Sequence, residues 1–582
     1  MEKDNIKKEE IIRHSLSHVM AHVIQELYPG TKFGIGPAIE NGFYYDFEFK
    51  NTLTNEDLPR IENKMRELIK EGILFNKKLV TKTSAKKIFS KQPYKLELIK
   101  ELPGQKVSIY KSGEFTDLCR GPHVKSTKEI PLDSFRLTKI AGAYWRGSEK
   151  NKMLTRIYGL AFKTKEELDK YLKFQEEAEK RDHRLLGQKL DLFSISDEVG
   201  AGLVIFHPKG AVIRNNIEDF WKREHKKRGY QYVYSPHIGK LDLWKKSGHW
   251  EFYRENLYSP IEIEGVQYLL KPMNCPFHLQ VYKSKIRSYK ELPIRYCELG
   301  TVYRFEKAGV LHGLLRVRGF TQDDAHIFCT PSQINKEVEG VLDLACFMLN
   351  TFGFSNFEVE LSVRDPKNKT KYLGSDKIWK KAENALEYAL KQKKLNYRRA
   401  EGEAVFYGPK IDIKLIDALG RGWQGPTIQV DFNMPEKFDL NYIDEKGRKE
   451  RVVMIHHTVL GSVERFIGNL LEHYAGALPL WLSPVQIWII PIGSRHEDYA
   501  KKVKEELIKE IPDLRIEIKD ENETVSKKIR EGEIQKIPYL LVVGDEEIKG
   551  ESVRVRSKNK DLGMTKIKEL SEKFNSEIKE KK

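Results

Sequence analysis

The sequence has few cysteines and lacks a CxxC pair. Five cysteines occur in 582 residues, and an odd number without close pairs argues against a disulfide framework and favours a reducing compartment. No apolar stretch approaches the roughly 20 residues that a membrane-spanning helix needs. The N-terminal MEKDNIKKEE lacks the apolar run of a signal peptide. These absences predict a cytoplasmic protein that is not inserted in a membrane.

Two nucleotide-binding signatures are also absent. No GxGxxG follows a strand pattern, and no GxxxxGK followed by Ser or Thr occurs, so neither a dinucleotide-binding fold nor a P-loop is indicated. The formal net charge is +17, with basic residues spread along the chain. This charge favours a polyanionic partner, nucleic acid before membrane, because neutralising phosphates releases counterions. Charge alone does not exclude a basic enzyme without such a partner.

The chain length predicts three or four domains. Residues 1–163 mix short apolar strands with helical stretches, which predicts an α+β domain. Residues 164–192 are highly charged with a helical period, which predicts a solvated helical linker. Residues 193–484 contain several strand-like runs, which predict a mostly antiparallel sheet with flanking helices. Residues 485–582 alternate strand and helix, which predicts a small α/β domain with a largely parallel sheet.

Three histidines lie in one short segment of the predicted N-terminal domain. RHSLSHVMAH places His14, His18 and His22 four residues apart, so all three imidazoles lie along one face if the segment is helical. Such a face raises the possibility of a metal site, whereas a packed or surface histidine is the commoner explanation for each residue.

Two arginines stand out by their context. Arg304 lies in TVYRFE after a strand pattern, with Glu306 two residues on, and Arg465 lies in GSVERF, where small residues precede a predicted helix. An arginine supplies a fixed fork of donors that suits phosphate oxygens. Two such positions could bind a triphosphate without a P-loop, although a surface ion pair is the commoner role for any single arginine.

Three segments in order resemble motifs 1, 2 and 3 of class II aminoacyl-tRNA synthetases: a helix and strand ending at Pro236, then YRFE with a loop and LLRVRGF, then GSVERFIG. Between and around them, KPMNCPFH, LHGLLRVRGFTQDDAHIF, FYGPKIDI, MIHHTVLGSVERFIG and YWRGSEKNKMLTRIYG resemble the threonyl-tRNA synthetases. The resemblance runs from about residue 10 to the C-terminus. We expect the chain to lack the further small N-terminal domain that many bacterial members carry.

This resemblance implies a multidomain α+β and α/β fold. Its parts are an N-terminal α+β editing domain, a class II synthetase catalytic domain built on an antiparallel sheet, and a C-terminal α/β anticodon-binding domain. The implied reaction activates L-threonine with ATP and transfers it to the 3′ end of tRNA(Thr). Motif 1 forms the dimer interface in this class, so a homodimer is implied. The motif 1 helix contains the apolar residues Phe220 and Trp221, which is compatible with such an interface.

The resemblance also maps a zinc site onto Cys275, His326 and His456, which are too far apart for sequence spacing to support a site. One thiolate and two imidazoles suit Zn²⁺, one per subunit, and three protein ligands leave a position open for substrate. We expect His457, the next residue, to point away.

Further roles come from the resemblance alone. Arg304 would contact the α-phosphate and the threonine carboxylate, and Arg465 the γ-phosphate of ATP with Mg²⁺ neutralising the rest. Glu306 would bind the adenine amino group. The remaining expected contacts are Arg316 and Gln429 for phosphate or ribose, and Gln322, Asp324 and Tyr407 for threonine, with Asp324 accepting a hydrogen bond from its hydroxyl.

A second, hydrolytic site is expected because serine differs from threonine by one methyl group, worth roughly 1–3 kcal/mol in binding. By resemblance, His14 and His18 match an HxxxH pair of the editing domain, and Cys119 and His123 in DLCRGPH match a CxxxH pair. Both pairs in one short domain favour a functional site, and they would also suit a tetrahedral zinc. The resemblance implies Lys95 and Asp117 as further editing residues. A zinc-bound and a metal-free cluster both remain open, and the family resemblance favours the metal-free one. His22 has no counterpart and is expected to be a packed or surface residue.

The C-terminal domain would bind the anticodon through Asn522, Glu547 and Arg556, since unstacked bases offer their pairing edges to polar side chains. Two rival hypotheses remain. One is a metal-dependent hydrolase that acts through the N-terminal cluster. The other is a non-catalytic RNA-binding paralogue, which should have lost Arg304, Arg465 or a zinc ligand.

Overall fold

The computed structural model describes residues 8–582. Its contacts divide the chain into two compact units, with the boundary between Glu177 and Ala178. The boundary lies inside the predicted linker. None of the helices among residues 8–582 is long and apolar enough to cross a membrane.

Residues 8–177, the described part of the first unit, form two antiparallel sheets and four helices before a connecting helix. The elements are α1 (Lys8–Leu27), β1 (Lys32–Phe33), β2 (Ala38–Ile39), β3 (Gly42–Glu48), α2 (Leu58–Glu71), β4 (Phe75–Thr81), α3 (Lys82–Ile88), α4 (Pro93–Glu101), β5 (Lys106–Ser112), β6 (Phe115–Leu118), β7 (Phe135–Tyr144) and β8 (Met153–Ala161). One sheet has the order β1-β3-β8-β7, with β2 paired to β3, and the other β4-β5-β6. This matches the expected α+β domain.

The core of the first unit lies between α1, α2 and the larger sheet. Leu16 and Met20 of α1 pack with Phe43 of β3 and with Ile61 and Met65 of α2, all fully buried. The histidines of α1 occupy a second face, and that face meets β6. Side chains of α1 and β6, which are about one hundred positions apart in the sequence, therefore lie close together on the faces that the helix and strand periods give them.

The predicted single linker helix is two helices. α5 (Lys165–Lys180) is charged and mostly exposed, as expected. The second helix is α6 (His183–Lys189), and its N-cap is Asp182, whose side chain accepts from the Arg184 N–H. His183 and Leu186 in α6 are buried. The second half of the linker is therefore part of a packed core and not a solvated connection.

The second unit begins with a mixed domain around one large sheet. Its elements after α6 are β9 (Phe193–Ser194), β10 (Ile205–Phe206), α7 (Pro208–Lys227), β11 (Gln231–Tyr232), β12 (Ile238–Lys240), α8 (Leu241–Ser247), α9 (His249–Phe252), β13 (Ile261–Ile263), β14 (Val266–Leu270), α10 (Cys275–Lys283), β15 (Ile294–Tyr303), β16 (Gly319–Cys329), α11 (Ile334–Thr351), β17 (Phe357–Val363), α12 (Asp376–Gln392), β18 (Tyr397–Glu401), β19 (Lys410–Ile416), β20 (Gly422–Asp431), α13 (Asn433–Lys437), β21 (Asn441–Ile443), β22 (Lys449–Arg451), β23 (Val453–Thr458) and α14 (Val463–Tyr474).

The large sheet has eight strands in the order β11-β15-β16-β23-β20-β19-β17-β18. All inner pairs are antiparallel, and only the two outermost pairs are parallel, in agreement with the mostly antiparallel prediction. One face carries apolar side chains such as Ile327, Ile428 and Ile455, which pack with Val338 and Leu342 of α11. Because side chains alternate along a strand, the opposite face is free to carry polar groups.

The C-terminal part forms a smaller sheet with helices. Its elements are β24 (Ile487–Pro491), α15 (Glu497–Glu510), β25 (Ile516–Ile518), α16 (Val525–Ile534), β26 (Tyr539–Val543), α17 (Asp545–Lys549), β27 (Ser552–Ser557), β28 (Lys560–Lys566) and α18 (Ile567–Glu580). The strand order is β25-β24-β26-β27-β28. The first three strands are parallel, as predicted, whereas β27 and β28 form an antiparallel hairpin. The sequence lacks the helix between them that a parallel crossover would need.

Candidate functional site

A cavity of about 300 Å³ lies over the polar face of the large sheet. Residues from β16, β19, β20 and β23 and from the starts of α10 and α14 line it, together with Arg304 directly after β15. The predicted residues that line it are Cys275, Arg304, Gln322, Asp324, His326, Tyr407, Gln429, His456 and Arg465. The structure therefore brings together nine of the eleven residues predicted for threonine, ATP and metal.

Strand register assembles the predicted metal ligands. His326 of β16 lies directly opposite His456 of β23, and Cys275 is the first residue of α10. The three potential ligand atoms lie within 4.8 Å of one another, and all three residues are buried. His457 lies on the other side of β23, where its Nε2 meets the Tyr230 hydroxyl at 2.7 Å. One sulfur and two nitrogens this close together suit the coordination of Zn²⁺.

Neighbouring side chains orient both histidines of this group. His456 Nε2 lies 3.1 Å from Asp431 Oδ2, and His326 Nδ1 lies 2.8 Å from His278 Nδ1. His278 Nε2 in turn lies 3.1 Å from Glu298 Oε2. Metal-binding histidines commonly use their second nitrogen in this way. Sequence reasoning missed these partners, although His278 stands three residues after Cys275 in KPMNCPFH.

The predicted threonine residues surround the same group. Asp324 is held by the Asn274 side-chain amide, which donates to Oδ2 at 3.1 Å, and burial raises the pKa of the Asp324 carboxyl. The Tyr407 hydroxyl donates to Gln429 Oε1 at 2.6 Å. Gln429, predicted for ATP, lies directly opposite His456 in the sheet and so borders the Cys275–His326–His456 group as well.

The two arginines keep guanidinium groups available at the cavity. Arg304 Nε donates to the Pro272 carbonyl at 3.2 Å, and Arg465 Nε to the Leu315 carbonyl at 3.2 Å. Within residues 8–582 neither of them forms an ion pair. Burial, together with the charges of Arg304 and Arg316, lowers the pKa of Arg465. Two buried guanidinium groups beside one cavity favour the binding of an anion there.

Glu306 and Arg316, the two predicted ATP residues outside the cavity lining, pair with each other at 3.0 Å. They stand at opposite ends of the β15–β16 loop (residues 304–318). Arg316 is half exposed. Nucleotide binding at both residues would require this ion pair to open.

Asp323 is a fully buried residue that the sequence reasoning did not single out. Its carboxylate accepts from the backbone N–H groups of Val459, Leu460 and Gly461 at 2.7–2.8 Å and from Trp221 Nε1 at 3.1 Å. It thereby fixes the turn that precedes α14 and Arg465. The adjacent Asp324 in QDDAH drew attention because of the family resemblance.

We expect Asp323→Asn to lower the free energy of unfolding by about 3 kcal/mol, because an amide NH₂ would face buried N–H donors. Urea titration of the purified protein measures this change. Asp242→Asn, at an exposed position on α8, is the control and should change stability by less than about 0.5 kcal/mol. Equal stability of the Asp323 and Asp242 variants would contradict this role.

The first unit brings the two His/Cys pairs together. Cys119 Sγ lies 3.3 Å from His14 Nε2 and 3.3 Å from His123 Nε2. With His18, their potential ligand atoms all lie within 4.8 Å. The Gly121 N–H donates to the same sulfur at 3.2 Å. The structure therefore brings these four side chains into one cluster.

Asp117 connects this cluster to Lys95. Asp117 Oδ1 lies 2.5 Å from Lys95 Nζ, and Asp117 Oδ2 lies 3.6 Å from His18 Nδ1. The Tyr45 hydroxyl, which was not predicted, donates to Asp117 Oδ2 at 2.6 Å. All six predicted editing residues thus lie in one contiguous group.

Burial controls protonation in this cluster. Burial lowers the pKa of His14 and of His123 and raises the pKa of the Cys119 thiol to about 12. Neutral imidazoles at pH 7 can accept a proton from water. His22 lies outside the cluster, where it stacks on Phe115 and approaches Glu26 at 3.3 Å.

The three predicted anticodon residues lie on different elements. Asn522 is exposed in the loop after β25, and Glu547 in α17 is buried and accepts from the Gly544 N–H at 3.0 Å. Arg556 of β27 lines a cavity of about 610 Å³, together with residues from the ends of α11 and α14 and from α16 and α18. Glu547 therefore has a structural contact of its own.

Three family models match the chain. The tRNA synthetase class II core domain (G, H, P, S and T) matches residues 258–474, the anticodon binding domain residues 486–577, and the threonyl and alanyl tRNA synthetase second additional domain residues 107–158. Together with the antiparallel sheet and its arginines, these matches define a class II aminoacyl-tRNA synthetase.

Comparison with similar proteins identifies the family within this class. The chain is 53% identical over 572 residues to the threonine–tRNA ligase of Dehalococcoides mccartyi strain CBDB1, covering 98% of this chain and 97% of that one. It is 53% identical to the ligase of Sulfurihydrogenibium sp. strain YO3AOP1, covering 100% and 90%. The crystal structure of the RNA binding domain of threonyl-tRNA synthetase from Cryptosporidium parvum Iowa II superposes with a TM-score of 0.64 at 40% identity, covering 68% of this chain and 98% of that chain. The chain belongs to the threonine–tRNA ligase family.

Proposed function

We propose that the protein forms threonyl-adenylate from L-threonine and ATP and transfers the threonyl group to the 3′ end of tRNA(Thr). The observation that carries this proposal is one cavity lined both by the Cys275–His326–His456 group and by Arg304 and Arg465, which form no ion pair within residues 8–582. An amino acid and a triphosphate would meet between them.

The arginines account for the activation step. The threonine carboxylate attacks the α-phosphorus, the bond from that phosphorus to the oxygen bridging to the β-phosphate breaks, and pyrophosphate leaves. Arg304 stabilises the negative charge that builds on the phosphate oxygens. Arg465, at the first turn of α14, would hold the γ-phosphate, where its guanidinium and the helix N-terminus both favour an anion. Mg²⁺ would neutralise the remaining phosphate charge. Glu306, Arg316 and Gln429 would bind the nucleoside and phosphates.

The Cys275–His326–His456 group would hold one Zn²⁺ per subunit and offer it to the amino group and hydroxyl of threonine. Asp324 accepts a hydrogen bond from that hydroxyl, and Asn274 fixes the carboxylate in place. Valine lacks the hydroxyl and would leave these polar groups unpaired, which separates it from threonine far better than an apolar pocket could. Gln322 and Tyr407 would complete the pocket.

Serine retains both groups and needs a second site. We assign hydrolysis of mischarged seryl-tRNA(Thr) to the His14, His18, Cys119 and His123 cluster, where a neutral imidazole would accept a proton from the attacking water. Lys95 and Asp117 would position the terminal ribose. The ligand atoms of this cluster lie within 4.8 Å of one another, and the family resemblance favours the metal-free alternative.

The proposed assembly is a cytoplasmic homodimer. Tyr232 on β11 and Tyr234 after it are exposed at the edge of the large sheet, next to the helix α7 that the motif 1 resemblance assigns to the dimer interface. Five free cysteines agree with a reducing compartment. Asn522, Glu547 and Arg556 remain the proposed anticodon contacts.

Threonine-dependent exchange of pyrophosphate into ATP tests this function. We expect exchange with threonine, almost none with valine, and at least a hundredfold loss in Arg304→Ala, because one donor to the transition-state charge is removed. No exchange with threonine at saturating Mg²⁺ and Zn²⁺ would refute the proposal and leave the hydrolase or RNA-binding alternatives. Exchange that survives Arg304→Ala unchanged would refute the role of that arginine.

A further inference from the structure

The second half of the linker docks against the nucleotide side of the catalytic domain. Arg181 donates to the His473 carbonyl at the end of α14 at 2.9 Å. Two residues later, His183 is fully buried, and its Nδ1 lies 2.7 Å from Glu472 Oε1. Nothing in the proposed chemistry uses these contacts. They join α6 to the same helix that begins with Arg465.

The other nitrogen of His183 holds the β15–β16 loop. The backbone N–H of Leu314 donates to His183 Nε2 at 3.0 Å. Because Nε2 accepts this hydrogen bond, it carries no proton, and Nδ1–H must be the donor to Glu472. Arg421 fixes the other oxygen of Glu472 at 2.5 Å. The chain Arg421–Glu472–His183 therefore sets one tautomer and presents one acceptor to the loop.

Two glycines allow this close approach. Gly313 has φ +47°, and a Cβ there would lie 2.1 Å from His183 Nε2, so any side chain would displace the imidazole from the loop. Gly468 of α14 lies beneath, where a Cβ would meet Leu315 Cδ2 at 3.0 Å and Leu314 Cβ at 3.3 Å. The loop segment Gly313–Leu315 is thus enclosed between α6 and α14.

The residues directly after Leu314 contact the side chains that are proposed to bind ATP. The Leu315 carbonyl accepts from Arg465 Nε, and Arg316 follows directly with its ion pair to Glu306. A shift of the Leu314 backbone would therefore remove the acceptor that aims Arg465 and would move Arg316. The amino-acid side, with Cys275, lies on other elements.

We propose that His183 is a positioning residue for ATP: by accepting from the Leu314 N–H, it fixes the loop that aims Arg465 and Arg316, and Glu472 sets its tautomer. This inference rests on the proposed function. The alternative of a metal at Asp182, His183 and Glu472, whose ligand atoms lie close together, does not fit, because both ring nitrogens of His183 already have partners.

Two substitutions separate the two hydrogen bonds. In His183→Asn the amide can replace Nδ1 and donate to Glu472 but cannot reach Leu314, whereas in His183→Gln it can replace Nε2 and accept from Leu314. We expect His183→Asn to raise KM for ATP about tenfold in threonine-dependent pyrophosphate exchange, the cost of one unsatisfied buried donor. KM for threonine should stay unchanged, and His183→Gln should restore KM for ATP at least in half.

The control is His225→Asn, which alters another fully buried histidine of the same unit, bonded to the Trp221 carbonyl and not to the loop. It should lower the melting temperature without raising KM for ATP. The inference is overturned if His183→Asn keeps the wild-type KM for ATP, or if both His183 variants raise the two KM values equally, as general loss of structure would. Failure of wild-type exchange would instead refute the proposed function.

Discussion

Cys275→Ala is expected to remove bound zinc, from about one ion per chain to nearly none, and to reduce threonine-dependent pyrophosphate exchange by at least a thousandfold. Two histidines alone rarely retain Zn²⁺, since stable sites use three or four protein ligands. Loss of the metal would also remove the groups that bind the threonine amine and hydroxyl, so the carboxylate would no longer be held beside Arg304. Metal analysis by mass spectrometry and the exchange assay measure the two effects.

Matched substitutions make this test specific. Cys346→Ala, at a half-buried position on α11 away from the cavity, should keep both zinc and exchange. His14→Ala with His18→Ala should also keep the zinc, because the N-terminal cluster is proposed to act without metal. The assignment would be overturned if the His14→Ala, His18→Ala variant loses the zinc and Cys275→Ala retains it, because the metal would then lie in the N-terminal domain.

The sequence predicted the fold, and it predicted residues that the structure places together in two clusters, for identifiable reasons. Helical spacing put His14 and His18 on one face of α1, and strand patterns predicted β15, β16 and β20, so local rules sufficed there. The Cys275–His326–His456 group came only from family resemblance. Its assembly depends on the register of β16 and β23, and register is set by pairing between distant segments.

Supporting residues were missed because their signal is not local. His278, Asp323 and His183 act through partners between 20 and about 290 positions away. In sequence they resemble packed or surface residues, and the charged composition around His183 indicated a solvated helix. Only tertiary packing shows that both nitrogens of this imidazole are in use.

The two proposed sites divide the discrimination against valine and serine by chemistry. Valine lacks a polar group, so a site whose donors and acceptors would stay unpaired rejects it during activation. Serine satisfies every polar group and lacks only a methyl, so activation must tolerate it at a substantial rate. A separate cluster then gains by acting after transfer, when the smaller side chain can enter a hydrolytic site that excludes threonine.

Accordingly, the double substitution His14→Ala with Cys119→Ala is expected to slow hydrolysis of seryl-tRNA(Thr) by at least a hundredfold, the contribution of a positioned general base. Threonyl-tRNA formation should stay within about twofold of wild type, because Arg304, Arg465 and the zinc ligands are unchanged. Deacylation of preformed seryl-tRNA(Thr) measures the first effect, and aminoacylation of tRNA(Thr) the second.

His22→Ala provides the matched control on the same helix, since His22 stacks on Phe115 and does not contact Cys119. It should hydrolyse seryl-tRNA(Thr) at nearly the wild-type rate, so a loss specific to the double substitution reports the cluster and not the stability of α1. Undiminished hydrolysis in the double variant would show that the His14–Cys119 contact, however short, lies outside the hydrolytic reaction. Because the assay starts from charged tRNA, this result would leave the activation site untouched and would move the search for editing to Lys95 and Asp117.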